Sequence, residues 1–277
     1  MPAEKFPFAV RLVGFAPEEA LVLTALLAQV PDVSTNPGPG YFCLSDDSLQ
    51  EPDLLIANGA ELSALAALST LASGEVRPAL IVGDPVLALP YPSVLRPVEA
   101  DSLHAELQQL VERRADALAE LAASGLPALP ERRLRQRLDF DLTDPAEYEA
   151  LRHPGSRGAV LVVDRNASFQ AHLERLLQPY SIPVVWAGSE AEAARVASSR
   201  AVAVALVNTA MQLDPYRLSA MLRQGGGPLI PAVVLLVSAP FVYDRSKAQA
   251  SGVAGLLDKP VADHHLKAVL KKLMGMS

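Results

Sequence analysis

The stretch Gly158–Asn166, G-A-V-L-V-V-D-R-N, constrains the fold of this chain more than any other. Its small and apolar residues run without alternation, so neither face of the segment is built to meet water. Such a run, bounded by turn residues, is the pattern of a strand buried on both faces of a parallel sheet. Parallel neighbours require crossover connections, usually helices, and a helical pattern follows from Ala167. Asp164 stands just past the end of the strand, where open α/β sheets place their sites. Three later apolar runs also end in polar residues: Asn208 after VAVALV, Ser238 after AVVLLV and Lys259 in LLDKP. In a parallel sheet these ends share one edge.

From Asp164 through Asn208 and Ser238 to Lys259, the successive separations along the chain are 44, 30 and 21 residues. As a set, these strand ends resemble the response-regulator receiver domain, the CheY-like family, over residues 156–277. The resemblance implies a doubly wound, flavodoxin-like (βα)5 fold with an acidic pair, a phosphorylated aspartate, a Ser/Thr and a Lys-Pro at these positions. It also implies a cis bond at Lys259–Pro260. Two positions depart from the family pattern. Asn208 stands where the phosphoacceptor aspartate would be, and an amide is too poor a nucleophile to form an acyl phosphate that turns over. Arg165 replaces the second carboxylate beside Asp164, and a fixed cation opposes Mg²⁺, which is held through carboxylates and phosphate oxygens. Leu256 takes the place of the family's aromatic switch residue. The expectation is a receiver fold without phosphotransfer, its pocket formed by Asp164, Arg165, Asn208, Ser238 and Lys259. Asp164 then needs a partner, because an unpaired buried carboxylate is costly. Either Arg165 folds back over the pocket as a substitute for the metal, or Arg165 faces solvent and Lys259 alone neutralises the acid.

The first half of the chain has the same order of elements. Phe8–Phe15 reads as a strand, and Pro17, Glu18 and Glu19 open a helix in the way its dipole favours. Pro31–Gly40 reads as a loop, and Tyr41–Ser45 as a short strand. Asp53–Ala57 reads as a buried strand ending at Asn58-Gly59. A helix over Ala60–Ser73 closed by Gly74, a strand over Ala79–Val82 and a strand over Ser93–Leu95 follow. Asp84–Pro92 contains three prolines, which forbid a regular helix there. Set against the second half, this is an internal repeat: a more eroded receiver-like domain. Asn58, Gly83 and Arg96 occupy the pocket positions, Arg96-Pro97 stands for Lys-Pro, and Gly14-Phe15 replaces the acidic pair.

The expected architecture is therefore α/β: two doubly wound (βα)5 domains with parallel five-stranded sheets, joined by a partly helical linker. The domains are residues 1–123, with an extended last helix, and 158–277, with an arginine-rich linker at 124–157. The helix over Ala100–Ala123 carries Leu103, Leu107, Leu110, Val111, Leu118 and Leu121 on one stripe. That stripe either packs wholly on its own sheet or uses its overhang beyond Val111 to pair with a second copy. In the linker, Arg132, Arg133, Arg135 and Arg137 read as a solvated face pairing with nearby acids, or as an anion site. Arg133 and Arg137, four apart, would share a helix face and clamp a phosphate. The R-x-x-x-R spacing also occurs in proteins that bind cyclic di-GMP.

Charge and composition narrow the function. The 277 residues carry a net charge of −7, which argues against non-specific nucleic-acid binding. Met1–Gly125 has 6 basic and 17 acidic residues, whereas Gly158–Ser277 has 12 and 8, so the two halves attract each other or each other's copies. The single cysteine, Cys43, excludes an internal disulfide and a thiolate metal cluster and fits a reducing cytoplasm. No apolar run reaches membrane-spanning length, and no export signal opens the chain. His264-His265 are adjacent, so on a helix they do not face one metal. No G-x-S-x-G and no phosphate-binding glycine loop occurs. The expectation is a cytoplasmic, non-catalytic signalling adaptor without metal or cofactor, binding protein partners independently of phosphorylation, with no DNA-binding or catalytic output domain. The alternatives are a sensor of a nucleotide or other small anion, such as cyclic di-GMP, and a response regulator with an unusual phosphoacceptor.

Overall fold

The computed structural model describes residues 7–29, 39–71, 74–123 and 158–276. The chain divides into two compact units, Met1–Asp46 with Glu51–Leu138 and Asp47–Gln50 with Asp139–Ser277. The arginine-rich segment holding Arg132, Arg133, Arg135 and Arg137, and the short helix expected after Asp144, lie outside the described residues.

In the first unit the elements run β1 (Phe8–Val13), α1 (Pro17–Ala28), β2 (Tyr41–Cys43), β3 (Leu54–Asn58), α2 (Leu62–Thr70), β4 (Ala79–Val82), β5 (Ser93–Val94) and α3 (Ala100–Ala123). The five strands pair in parallel in the order β2-β1-β3-β4-β5. Every residue of β3 and β4 is buried, as their unbroken apolar runs require. Alternation along the strands sorts the core into two layers. Val10, Leu54, Ile56, Leu80 and Val82 face Leu27 of α1 and Leu103, Leu107 and Leu110 of α3. Leu55, Ala57 and Ala79 face Ala64 and Leu68 of α2 on the other side. This second layer is thin because the proline-rich stretch between β4 and β5 forms no helix. Tyr91, from that stretch, packs against the layer in its place.

The second unit runs β6 (Ala159–Val163), α4 (Ser168–Leu177) continued by a 3₁₀ turn (Gln178–Tyr180), β7 (Val184–Ala187), α5 (Glu190–Ser199), β8 (Val202–Asn208), α6 (Pro215–Gln224), β9 (Ala232–Val237), α7 (Arg245–Ser251), β10 (Val253–Asp258) and α8 (Asp263–Leu273). Its parallel sheet has the order β10-β9-β8-β6-β7. Counted from its own first strand this is 2-1-3-4-5, the order of the first sheet and of the flavodoxin-like doubly wound fold. Val160 and Val162 face α4 and α8, while Leu161 and Val163 face α5 and α6. Asp214 caps α6 by accepting from the N–H groups of Tyr216 and Arg217, and Asp244 caps α7 by accepting from that of Lys247. Each cap satisfies N–H groups that have no partner within the helix.

Several elements are shorter than the sequence pattern predicts, for local reasons. The helix expected over Ala60–Ser73 is α2, Leu62–Thr70. Its start is delayed because the Asn58 side chain takes the Ala60 N–H. At its other end the hydroxyls of Ser69 and Thr70 bond to the carbonyls of Ala66 and Ala67, a local bonding that competes with the next turn. Along α3, Leu103, Leu107, Leu110 and Ala117 are buried, whereas Leu118 and Leu121 are exposed. Packing on its own sheet therefore covers the leucine stripe only as far as Leu110.

The core of the second unit gives a stability test. Leu206 in β8, the middle strand, is fully buried. Leu206→Ala is expected to lower the unfolding free energy by about 2–5 kcal/mol, the loss for deleting a fully packed leucine, measured by urea titration followed by circular dichroism.

Candidate functional site

The parallel sheet of the second unit delivers Asp164, Asn208, Ser238 and Lys259 to one edge, because each lies at or just after the end of β6, β8, β9 or β10. Three of the four form a chain of hydrogen bonds. The Lys259 ammonium donates to Asn208 Oδ1 at 2.8 Å. The Asn208 amide nitrogen donates to Asp164 Oδ1 at 3.0 Å. The same carboxylate oxygen accepts the backbone N–H of Arg165 at 2.6 Å. Asn208 Oδ1 also accepts the N–H of Ala210 at 3.1 Å. The amide dipole is thus oriented between a cation and an anion, oxygen towards the ammonium and nitrogen towards the carboxylate. The Trp186 indole N–H donates to the Asp164 carbonyl at 3.0 Å, tying β7 to this turn. Ser238 is half-buried at the same edge, and its hydroxyl makes no hydrogen bond to the described residues. Lys259–Pro260 is cis.

Arg165 does not take the role of a built-in metal substitute. Its side chain is exposed and forms no ion pair or hydrogen bond with the described residues; only its backbone N–H reaches Asp164. Lys259 already satisfies the amide oxygen from below, so Asp164 is bonded without the guanidinium. Burial pulls the Lys259 pKa below its ordinary 10.5, and the attraction of Asp164 opposes that fall.

The substitution expected at Arg165 is present in the first unit instead. Asn58 ends β3 and donates to the Gly14 carbonyl at 2.9 Å. Its oxygen accepts from Arg96 Nη2 at 3.0 Å. The same guanidinium donates to Glu19 Oε1 through Nη2 at 2.6 Å and Nε at 3.0 Å, and to the Val82 carbonyl through Nη1 at 3.3 Å. Arg96 therefore holds the loop after β5, the end of β3, the end of β4 and the first turn of α1. Gly83 makes room for it. A Cβ on Gly83 would fall 2.1 Å from Arg96 Nη1, and the backbone there has φ +86°. The small residue at the Ser/Thr position and the large cation after β5 are one arrangement.

Glu19 is the residue that sequence reasoning missed. It reads as an acid placed for the helix dipole, and it does stand in the first turn of α1. Its second role depends on α1 lying beside the β5 loop, 77 residues further along. The available signal was the pairing of an arginine at the Lys-Pro position with an acid displaced from the end of β1.

Neither site holds a hydroxyl, thiol or carboxylate at the acceptor position. An amide whose oxygen and nitrogen are both hydrogen-bonded offers no nucleophile. Among the described residues, Asp164 and Glu19 are each the one carboxylate hydrogen-bonded to their amide–cation pair, a poor donor set for Mg²⁺. What the arrangement does chemically is hold a cation, an amide and an acid in fixed mutual orientation.

Two measurements follow. Gly83→Ser is expected to lower stability by about 1–3 kcal/mol from the left-handed backbone alone. Its cost should shrink when Arg96→Ala is added, as neighbours that share space are non-additive; denaturant titration of the four-member cycle checks this. The apparent pKa of Lys259, from the pH dependence of amine labelling read by peptide mass spectrometry, should lie below 10.5. Asp164→Asn should lower it further, because the opposing attraction is lost while the burial remains.

No family model matches the sequence, and no curated protein matches it. Among solved structures, the chain is similar to the receiver domain of a sensor histidine kinase from Pseudomonas aeruginosa PAO1, with 23% identity over 43% of this chain and 98% of that one, TM-score 0.37. A receiver domain of a Saccharomyces cerevisiae response regulator, crystallised with its histidine phosphotransfer protein, is 22% identical over 42% and 88%, TM-score 0.36. A putative two-component system response regulator/GGDEF domain protein is 13% identical over 97% and 98%, TM-score 0.36. The strand order of each sheet carries the fold likeness by itself. Each sheet has the parallel 2-1-3-4-5 order of the flavodoxin-like doubly wound fold, with Asp164, Asn208, Ser238 and Lys259 gathered at one edge of the second sheet and Asn58, Gly83 and Arg96 at one edge of the first.

Proposed function

We propose that this protein is a non-catalytic signalling adaptor of the response-regulator type, binding protein partners through two pseudo-receiver domains without phosphorylation. The reading spans residues 1–123 and 158–277 as the two domains and 124–157 as the linker. The observation that carries it is the Lys259–Asn208–Asp164 chain. An amide in the acceptor position is bonded at both ends by groups of the same pocket, so that position offers no nucleophile for a phosphoryl. The Arg96–Asn58–Glu19 cluster supports the same reading for the first domain. A domain that need not respond to phosphate is free to present a constant surface. Among the described residues no helix is long and apolar enough to cross a membrane.

Incubation of the full chain with acetyl phosphate and Mg²⁺ is expected to give no phosphoryl adduct by intact mass spectrometry. A Mg²⁺-dependent adduct on any residue of the second domain would overturn the reading. Asn208→Asp combined with Arg165→Asp is expected to gain Mg²⁺ binding, since two carboxylates then flank Asp164.

The exposed Leu118 and Leu121 on α3 support a contact between copies through this helix. If so, the chain sediments as a dimer, and replacing both leucines by glutamate yields a monomer in analytical ultracentrifugation without changing the circular dichroism spectrum.

A further inference from the structure

Beside the polar chain in the second unit lies a cleft that none of the pocket chemistry uses. It has a volume of about 500 Å³ and is lined by Phe169, Leu236, Lys259, Pro260 and Val261. Four of its five walls are apolar. Phe169 comes from α4, Leu236 from β9, and Lys259, Pro260 and Val261 from the turn between β10 and α8. Its single charge is the Lys259 ammonium at the inner end.

That ammonium is only partly used. It has three N–H donors, and one goes to Asn208 Oδ1. The carboxylate that acts on it, Asp164, is itself already engaged. Asp164 Oδ1 accepts from Asn208 and from the Arg165 backbone. Asp263 accepts from or pairs with His172 Nε2 at 2.7 Å, and the His172 ring stacks on Phe169 with centroids 6.4 Å apart. The His172–Asp263 pair thus braces the Phe169 wall.

We propose that this cleft is a binding site for a small amphipathic carboxylate, a compound with an aromatic or aliphatic body and one carboxylate end. The carboxylate accepts from the free N–H groups of Lys259, and the body lies against Phe169, Leu236, Pro260 and Val261. The volume falls in the ordinary range for small-molecule sites, and apolar walls with one placed polar group are their usual lining. A single negative charge is the right number. Asp164 stands one amide away from the ammonium and would repel a polyphosphate. The depressed pKa of Lys259, caused first by burial and only partly offset by Asp164, agrees with an ammonium beside an apolar space. This site goes beyond the adaptor reading and does not depend on it.

The test is calorimetric titration of the full chain with 4-phenylbutyrate and with its uncharged counterpart 4-phenylbutyramide. The acid is expected to bind at one site per chain, and the amide about tenfold more weakly, the worth of one charge-assisted hydrogen bond. Lys259→Met should remove the preference for the acid. Val261→Trp, which fills the cleft and leaves Lys259 bonded to Asn208, should abolish binding of both. Affinity for the acid should fall as the pH is raised through the Lys259 pKa, because the neutral amine no longer attracts it. Absence of binding by the acid, equal binding of acid and amide, or binding that survives Val261→Trp would each overturn the proposal. If Lys259→Met does not fold by circular dichroism, the comparison of acid with amide and the Val261→Trp variant decide it.

Discussion

A neutral amide held between a fixed cation and a carboxylate is the interaction on which the second domain's pocket depends. Lys259, Asn208 and Asp164 come from three different strand ends, and each is half-buried, where an unpaired charge is costly. A carboxylate at position 208 would face Asp164 across the 3.0 Å now spanned by a hydrogen bond, and two carboxylates at that distance repel unless a metal or a proton lies between them. The amide removes that requirement. Its nitrogen supplies the positive end that Asp164 needs, and its oxygen supplies the negative end that Lys259 needs.

The first domain reaches the same balance with different parts. Its β1 ends in Gly14-Phe15 and offers no acid, so the carboxylate comes from Glu19 on α1 and the cation is a guanidinium. An arginine's planar fork suits this arrangement better than an ammonium would. It contacts Glu19, Asn58 and the Val82 carbonyl at once, and so spans elements that a missing crossover helix leaves thinly covered. The Glu19–Arg96 pair is about one-third exposed on both sides, so water screens it and its contribution is geometric more than energetic. In both domains the asparagine oxygen at the strand end is bonded to a basic side chain, by different routes.

What the two sheet edges offer differs. In the second domain the ammonium engages the amide with one donor and leaves the others directed at an apolar cleft. In the first, Arg96 is used up by its neighbours and fills the space above Gly83. The two edges are therefore chemically unlike, although their sheets have the same strand order.

The fold was legible in the residues because burial on both faces leaves a plain mark. The runs DLLIA, ALIV, AVLVV, VAVALV and AVVLLV are five of the strands or overlap them closely, and four of them are followed directly by a polar residue, Asn58, Asp164, Asn208 or Ser238, at the candidate edge. Asn208 and Lys259 were identifiable from the resemblance of their strand ends to the receiver pattern, and Asn58 and Arg96 from setting the first half against the second. The proline-rich stretch after β4 likewise excluded a helix by its own chemistry. Helix ends were less legible, since α2 is shortened by side chains that bond to nearby backbone groups. The partner of each cation was decided only by tertiary structure. Arg165 is next to Asp164 in sequence but projects away from it, while Glu19 and Arg96 are far apart in sequence and bonded in space. Adjacent residues at a strand end point in different directions, whereas the packing of α1 against the β5 loop depends on the whole sheet, and no local pattern encodes it.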